Sequence, residues 1–328
     1  MANKASLLLI YVLALVEFAS AQRYSITELG FLPGGNYTVP SGLNNLGQVV
    51  GLAVTSAGQD HAFLWTSSMG MQDLGTLGGT YSQASAINDF GAIVGVSTTT
   101  NASNFNCAFV WTKSTGMTLL LGCSPDFQSD AYNINDHGQV VGIVVSTSAS
   151  AFVWTKSGEE QDLISGVASG INERNEVAGT TESNTAFLWT ETEGTQEIGT
   201  LGGSQSAAFQ INDLGEAVGA SITSNGQTHA FIWTKQTGMT DLGTLPGDDF
   251  SQAAAINDFG QVVGLSKHGG TERAFVWGKN LGMRDLNTLV APISGWNLMG
   301  AVGINSSGQI AGYGTFNGVG TGFLLTPR

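Results

Sequence analysis

Charge is scarce in this chain. Asp, Glu, Lys and Arg make up 11% of 328 residues, against roughly 25% in ordinary soluble domains. The basic residues are the scarcer, 11 against 25 acidic ones, for a formal net charge of -14. Such a chain repels phosphate backbones and anionic membrane surfaces, which excludes nucleic acid as a partner. Histidine is confined to His61, His137, His229 and His268, scattered without ligand spacing, so no metal and no cofactor are expected. Cysteine is confined to Cys107 and Cys123. The one long apolar run, Leu7 to Val16, falls short of the about 20 residues that span a bilayer, so no membrane span is expected.

That run has a different reading. Lys4 supplies a basic start, Leu7 to Val16 the apolar centre and Ala19-Ser20-Ala21 a small-residue cleavage site, the pattern of a signal peptide. Residues 1–21 are expected to be removed after Ala21, leaving 22–328 as an exported protein; a retained anchor is the alternative.

What is present is repetition. An apolar residue, Asn, a short polar turn and a Val- and Gly-rich run recur seven times, at Leu43-Asn44, Ile87-Asn88, Ile134-Asn135, Ile171-Asn172, Ile211-Asn212, Ile256-Asn257 and Ile304-Asn305. An aromatic–apolar–Trp–Thr phrase accompanies them. A period of roughly 44 residues with several short strands per unit is the signature of a propeller blade. In the unit from Thr80 to Leu121, four short apolar stretches separated by Gly, Asn, Asp and Ser read as an antiparallel meander, strands a to d from axis to rim. The last residue of the a–b turn is Gly in six copies and Asn175 in the other, the two residues that best accept a left-handed backbone. Small residues precede the turn (Gly42, Ala86, Ala131, Gly170, Ala208, Ala255, Gly303), as convergence on one axis requires. The Trp ladder (Trp65, Trp111, Trp154, Trp189, Trp233, Trp277) reads as core between splaying blades.

The last copy ends at its strand c, Phe323 to Thr326, while Tyr24 to Gly30 matches the strand d phrase Met239 to Gly243. The N-terminal strand is therefore expected to complete the last blade and remove an open sheet edge. The expectation is an all-β, seven-bladed β-propeller of four-stranded antiparallel blades, one domain over 22–328.

The phrases His61-Ala62-Phe63 and His229-Ala230-Phe231, with Asp73-Leu74-Gly75-Thr76-Leu77 and Asp241-Leu242-Gly243-Thr244-Leu245, carry a family likeness. Across about residues 24 to 326 the chain resembles the HAF family of extracellular repeats, named for the His-Ala-Phe triplet. The resemblance implies an exported, mostly bacterial protein of undefined biochemical role, and brings no catalytic residues. The triplet His is Cys107, Ser150, Thr185, Arg273 and Thr321 in other copies, which argues against a shared catalytic or metal-binding His.

Cys107 and Cys123 both replace repeat residues within one unit, at positions that face each other across the c–d turn. In an exported protein they read as a cross-strand disulfide, with two free thiols as the alternative. Asp89, Asp136, Asp213 and Asp258 read as turn formers, since a calcium loop needs several alternating oxygen ligands. Asn36-Tyr37-Thr38, Asn101-Ala102-Ser103 and Asn305-Ser306-Ser307 match the glycosylation acceptor pattern.

Turns a–b and c–d are uniform, whereas the d–a and b–c connections on the other face vary, which places binding on the variable face. There Tyr37, Tyr81, Phe127, Phe250 and Trp296 recur just before or at the start of strand a, with Gln83, Asp126, Asp130, Asp248, Asp249 and Asn297 beside them. Such a rim suits sugars or extended peptides, although packing against the neighbouring blade is an equally direct use of the rings. The expected function is non-enzymatic binding of carbohydrate or protein by a secreted monomer; the alternative is a hydrolase or lyase using Asp126, Asp130, Asp248 and Asp249.

Overall fold

The computed structural model describes residues 24–100, 105–155, 157–292 and 294–328. The expected signal peptide and the Asn101 sequon lie outside the described residues.

Antiparallel strands follow one another in groups of four. The first is Thr38–Leu43, Val49–Val54, Asp60–Thr66 and Gly70–Asp73; the next is Gly78–Ile87, Ile93–Thr99, Cys107–Thr112 and Gly116–Leu119. Gln128–Ile134, Val140–Val145 and Ala149–Trp154 follow, and their outer strand is the first half of Glu160–Ile171. The second half of that strand is the inner strand of the next group, with Val177–Thr181, Ala186–Thr190 and Gly194–Gly199. The d–a connection between these two groups is thus one continuous strand. Then come Gly202–Ile211, Ala217–Thr223, Thr228–Thr234 and Gly238–Gly243, followed by Phe250–Ile256, Val262–His268, Thr271–Gly278 and Gly282–Asp285. Trp296–Ile304, Ile310–Phe316 and Val319–Pro327 end the chain, and Tyr24–Glu28 pairs antiparallel with the last of them, Ile26 opposite Leu325. No sheet closes on itself, as in a β-propeller, where each blade is an open sheet.

The core lies between groups rather than inside one sheet. Phe63, Phe109, Phe152, Phe187, Phe231, Phe275 and Phe323, the third residue of each triplet, are fully buried. Each sits in an apolar cluster drawn from neighbouring groups, and one such cluster joins Ala311 and Leu324 near the C-terminus to Val49, Phe63 and Trp65 of the first group. The Gly of strand b makes room for this packing: a Cβ on Gly51 would stand 2.1 Å from the Val39 carbonyl oxygen and 2.9 Å from the Phe63 ring. The Trp ladder departs in part from the core reading. Trp65 and Trp111 are buried, but Trp154, Trp189, Trp233 and Trp277 pack on the clusters and keep an edge in solvent, because at the a–b and c–d turn face the wedge between groups opens.

The repeat phrases are clips. His61 Nδ1 lies 2.9 Å from the Asp73 carboxylate and His229 Nδ1 2.9 Å from that of Asp241, joining strands c and d. Arg273 and Asp285 stand at the same two places, 3.5 Å apart. Where the triplet has Cys107, the link to the d side is covalent, a Cys107–Cys123 disulfide with Cα atoms 5.5 Å apart. The chemistry changes while the join remains. Replacing both cysteines by serine removes a cross-link between residues 16 apart in sequence and is expected to cost about 3 kcal/mol, read as a Tm fall of roughly 5–10 °C. An unchanged Tm in differential scanning calorimetry would show that the link constrains nothing.

Candidate functional site

Each a–b turn is built on its buried Asn. In the first, Asn44 Oδ1 accepts the N–H groups of Leu46 and Gln48, at 3.1 and 3.0 Å, an Asx turn closed by Gly47 at φ 72°. Asn175, which replaces the Gly, has φ 62°. The Asn side chain has a second use that its repetition does not disclose: its Nδ2 donates to the backbone carbonyl of the next Asn. The bonds run from Asn44 to Asn88, on to Asn135, Asn172, Asn212, Asn257 and Asn305, and from Asn305 back to Asn44, at 2.9–3.1 Å. Asn305, expected as a sequon, is only 4% exposed and held in this series, so the fold leaves it no room to accept a glycan.

The following residue corrects the turn-former reading of the Asp positions. Asp89 accepts the N–H of Asn45, Asp136 that of Asp89, Glu173 that of Asp136, Asp213 that of Glu173 and Asp258 that of Asp213, all at 2.8–2.9 Å. These carboxylates reach across to the preceding turn rather than shaping their own. Together they ring a cavity of about 250 Å³ whose lining, among the described residues, includes Asn133 and Gln210 but no Lys, Arg or His. Asn133 Nδ2 donates to Gln210 Oε1 at 3.1 Å, bridging inner strands two groups apart.

Burial raises the Glu173 pKa above its ordinary 4.5; the Asp136 N–H opposes this, and the Asp136 and Asp213 charges add to it. Folded Glu173 therefore holds its proton to higher pH than in the unfolded chain. Its contribution to stability is largest at low pH and is lost as pH rises from 4.5 through the folded value. Glu173→Gln keeps the acceptor and removes the charge, so it is expected to raise Tm at about pH 7 and leave it unchanged near pH 4. A lower Tm at neutral pH would contradict a ring under like-charge strain.

Two larger hollows open on this same turn face. One of about 690 Å³ is lined by Leu46, Met69, Phe90, Trp111 and Trp154 among others, and one of about 550 Å³ by Leu188, Leu214 and Trp233 with Arg174, Glu193 and Lys235. Leu46 and Phe90 line the first and Leu214 the second; these third turn residues, with Phe259 at the same place of another turn, are 63–80% exposed. Sequence reasoning passed these by; the signal was an apolar residue at the tip of a hairpin turn, where polar residues are the rule.

The variable-face candidates are dispersed. Tyr37 is 48% exposed, and Tyr81 donates its hydroxyl to Gln83. Phe127 packs on the Leu121 and Val144 cluster, Phe250 lies under the Lys267 ammonium at 4.4 Å, and Trp296 stacks on Phe316 at 5.1 Å. Asp248 is bound by Arg273 at 2.8 Å and by the Ser266 hydroxyl at 2.7 Å, and Asp249 by His268 at 3.0 Å. Asp126 is exposed. Asp130, whose pKa burial raises, lines a hollow of about 140 Å³ with Asn106, Gln128 and Ser129, and no second carboxylate shares it.

No protein-family model matches the chain, and no curated protein matches it. Among solved structures it is similar to virginiamycin B lyase from Staphylococcus aureus, with TM-score 0.60, 14% identity and coverage of 93% of this chain and 100% of that one. It is similar to the β-propeller domain of the Trilobed protease from Pyrococcus furiosus, with TM-score 0.59, 10% identity and coverage of 93% and 94%. A third is YCF48 bound to D1 peptide, with TM-score 0.55, 10% identity and coverage of 94% and 96%. At these identities the likeness shows the β-propeller fold and nothing of activity.

Proposed function

We propose that this is an exported, non-enzymatic propeller of the His-Ala-Phe repeat type, closed from seven blades, that works by binding a protein or carbohydrate ligand. Closure is supported by the hydrogen bond from Asn305 to the Asn44 carbonyl and by the pairing of Tyr24–Glu28 with Val319–Pro327. Export is supported by the signal-peptide pattern and by the disulfide, a bond of oxidising compartments. The observation that carries binding over catalysis is the use of the acidic groups: Asp248 is held by Arg273, Asp249 lies against His268 and the turn carboxylates accept backbone hydrogen bonds, while large apolar side chains on the turns are exposed, three of them at the walls of open hollows. Those side chains favour a protein ligand over a sugar. YCF48, of similar fold, is bound to a peptide.

The test pairs a glycan array with a displayed peptide library, both probed with the mature protein. Saturable binding that survives Asp130→Asn and Asp248→Asn supports the reading. Turnover of a bound compound, abolished by Asp130→Asn in a folded variant, would overturn it.

A further inference from the structure

The third residue of the a–b turn needs a reason. At this place Leu46, Phe90, Leu214 and Phe259 each give a backbone N–H to the turn Asn at 3.1–3.2 Å, and Arg174 and Ser307 give the same bond at 3.0 and 3.1 Å. The turn is therefore indifferent to the side chain, and an exposed Phe or Leu brings it nothing. Leu46 and Phe90 share the wall of one hollow and Leu214 lines another; with Phe259 on a further turn, each is 63–80% exposed, apolar surface that water alone would not favour.

Among the described residues, the charge lining the central cavity is of one sign. The carboxylates around the central cavity accept backbone N–H groups, with the Asn45 amide also on Asp89 and His137 Nδ1 3.2 Å from Glu173. Neutral donors leave a carboxylate its full negative charge. Among the described residues, the Lys and Arg side chains of this face lie outside the central cavity: Arg174 is held by Glu176 at 2.6 Å and Lys235 by Glu193 at 2.9 Å, Lys113 lies on the wall of the larger hollow, Lys279 lies in the turn between Thr271–Gly278 and Gly282–Asp285, and Arg284 is on the latter strand. A second copy of this chain, itself at -14, would be repelled.

We infer that the a–b turn face is the docking surface, and that it takes an extended polypeptide segment whose apolar side chains seat beside Leu46, Phe90, Leu214 and Phe259 while its Lys or Arg residues lie over the central carboxylates. This rests on the interaction reading and deepens it by naming the face and the partner's chemistry. Apolar contact supplies the affinity, and charge complementarity selects the partner and speeds its arrival.

A phage-displayed library of random linear peptides, panned on the mature protein, tests it. Recovered sequences are expected to be rich in Lys or Arg together with Leu, Phe or Trp. Their affinity is expected to fall about tenfold or more in Phe90→Ser/Leu214→Ser and in Asp136→Asn/Asp213→Asn, and to weaken as salt is raised. Folding should survive, since Ser307 already occupies the equivalent place and Asn retains the acceptor. Recovery of no peptide, of peptides without basic residues, or of peptides indifferent to these changes would overturn the inference. If binding is lost instead in Tyr81→Ala/Trp296→Ala, or if only glycans bind, the interaction reading stands and the face assigned here is wrong.

Discussion

A chain that begins at Leu29 is expected to lose about 6 kcal/mol of stability or more. The missing strand, Tyr24–Glu28, carries Tyr24, which is 2% exposed, packs with Leu298 and Phe323, and donates its N–H to Leu289. Removing a buried aromatic costs about 3–5 kcal/mol, and the lost ladder to Val319–Pro327 adds roughly 1 kcal/mol per hydrogen bond. For a domain of this size the Tm should fall by more than about 10 °C. The effect should exceed that of ordinary terminal trimming, because the cut also bares the edge of the last strand from Phe323 to Pro327. A bare edge recruits other chains, so the truncated protein is expected to elute in size-exclusion chromatography as larger species than the intact one. Recovery of the elution volume and Tm of the intact chain would show that the strand is an ornament.

The second large effect is expected at the buried Asn residues. Asn212 Nδ2 donates to Asn257 O and Glu216, and its Oδ1 accepts from Leu214 and Glu216, so alanine there leaves several buried groups without partners. The expected loss is about 3–5 kcal/mol. Asn305 has the same bonds, to Asn44 O and Gln309 and from Ser307 and Gln309. In a closed ring Asn305→Ala and Asn212→Ala should cost the same within about 0.5 kcal/mol, whereas in an open stack the terminal one, lacking the bond to Asn44, would cost about 1 kcal/mol less. Chemical denaturation of the two variants side by side decides between these, with Ser306→Ala as an exposed control near zero.

Much of this was legible in the repeat. Strand order, the left-handed turn residue at Gly47 and Asn175, and the Cys107–Cys123 bridge follow from what recurs and what departs from recurrence. Departures were especially informative, since two cysteines replacing consensus residues in one unit located both ends of a bond. A repeat does not disclose contacts between its copies. That Asn44 reaches Asn88, or that Asp136 serves Asp89 rather than its own turn, cannot be read from identical phrases, because each copy has the same residue to offer and the geometry between copies chooses the partner. Burial was overestimated for the same reason. Trp154 and Trp233 share the consensus of Trp65, yet the wedge is open at their end and they line hollows. The sequence also drew attention to variable loops, whereas the apolar residues left without a structural use lie in the uniform turns.

The account depends on the two ends of the chain meeting, and a cross-link measures that directly. Ser25 stands opposite Thr326 in the terminal pairing. In Ser25→Cys/Thr326→Cys, oxidation followed by non-reducing peptide mapping is expected to show the new pair joined, with the Cys107–Cys123 bond intact and a higher Tm. Two thiols that stay free and reactive under the same conditions would contradict closure.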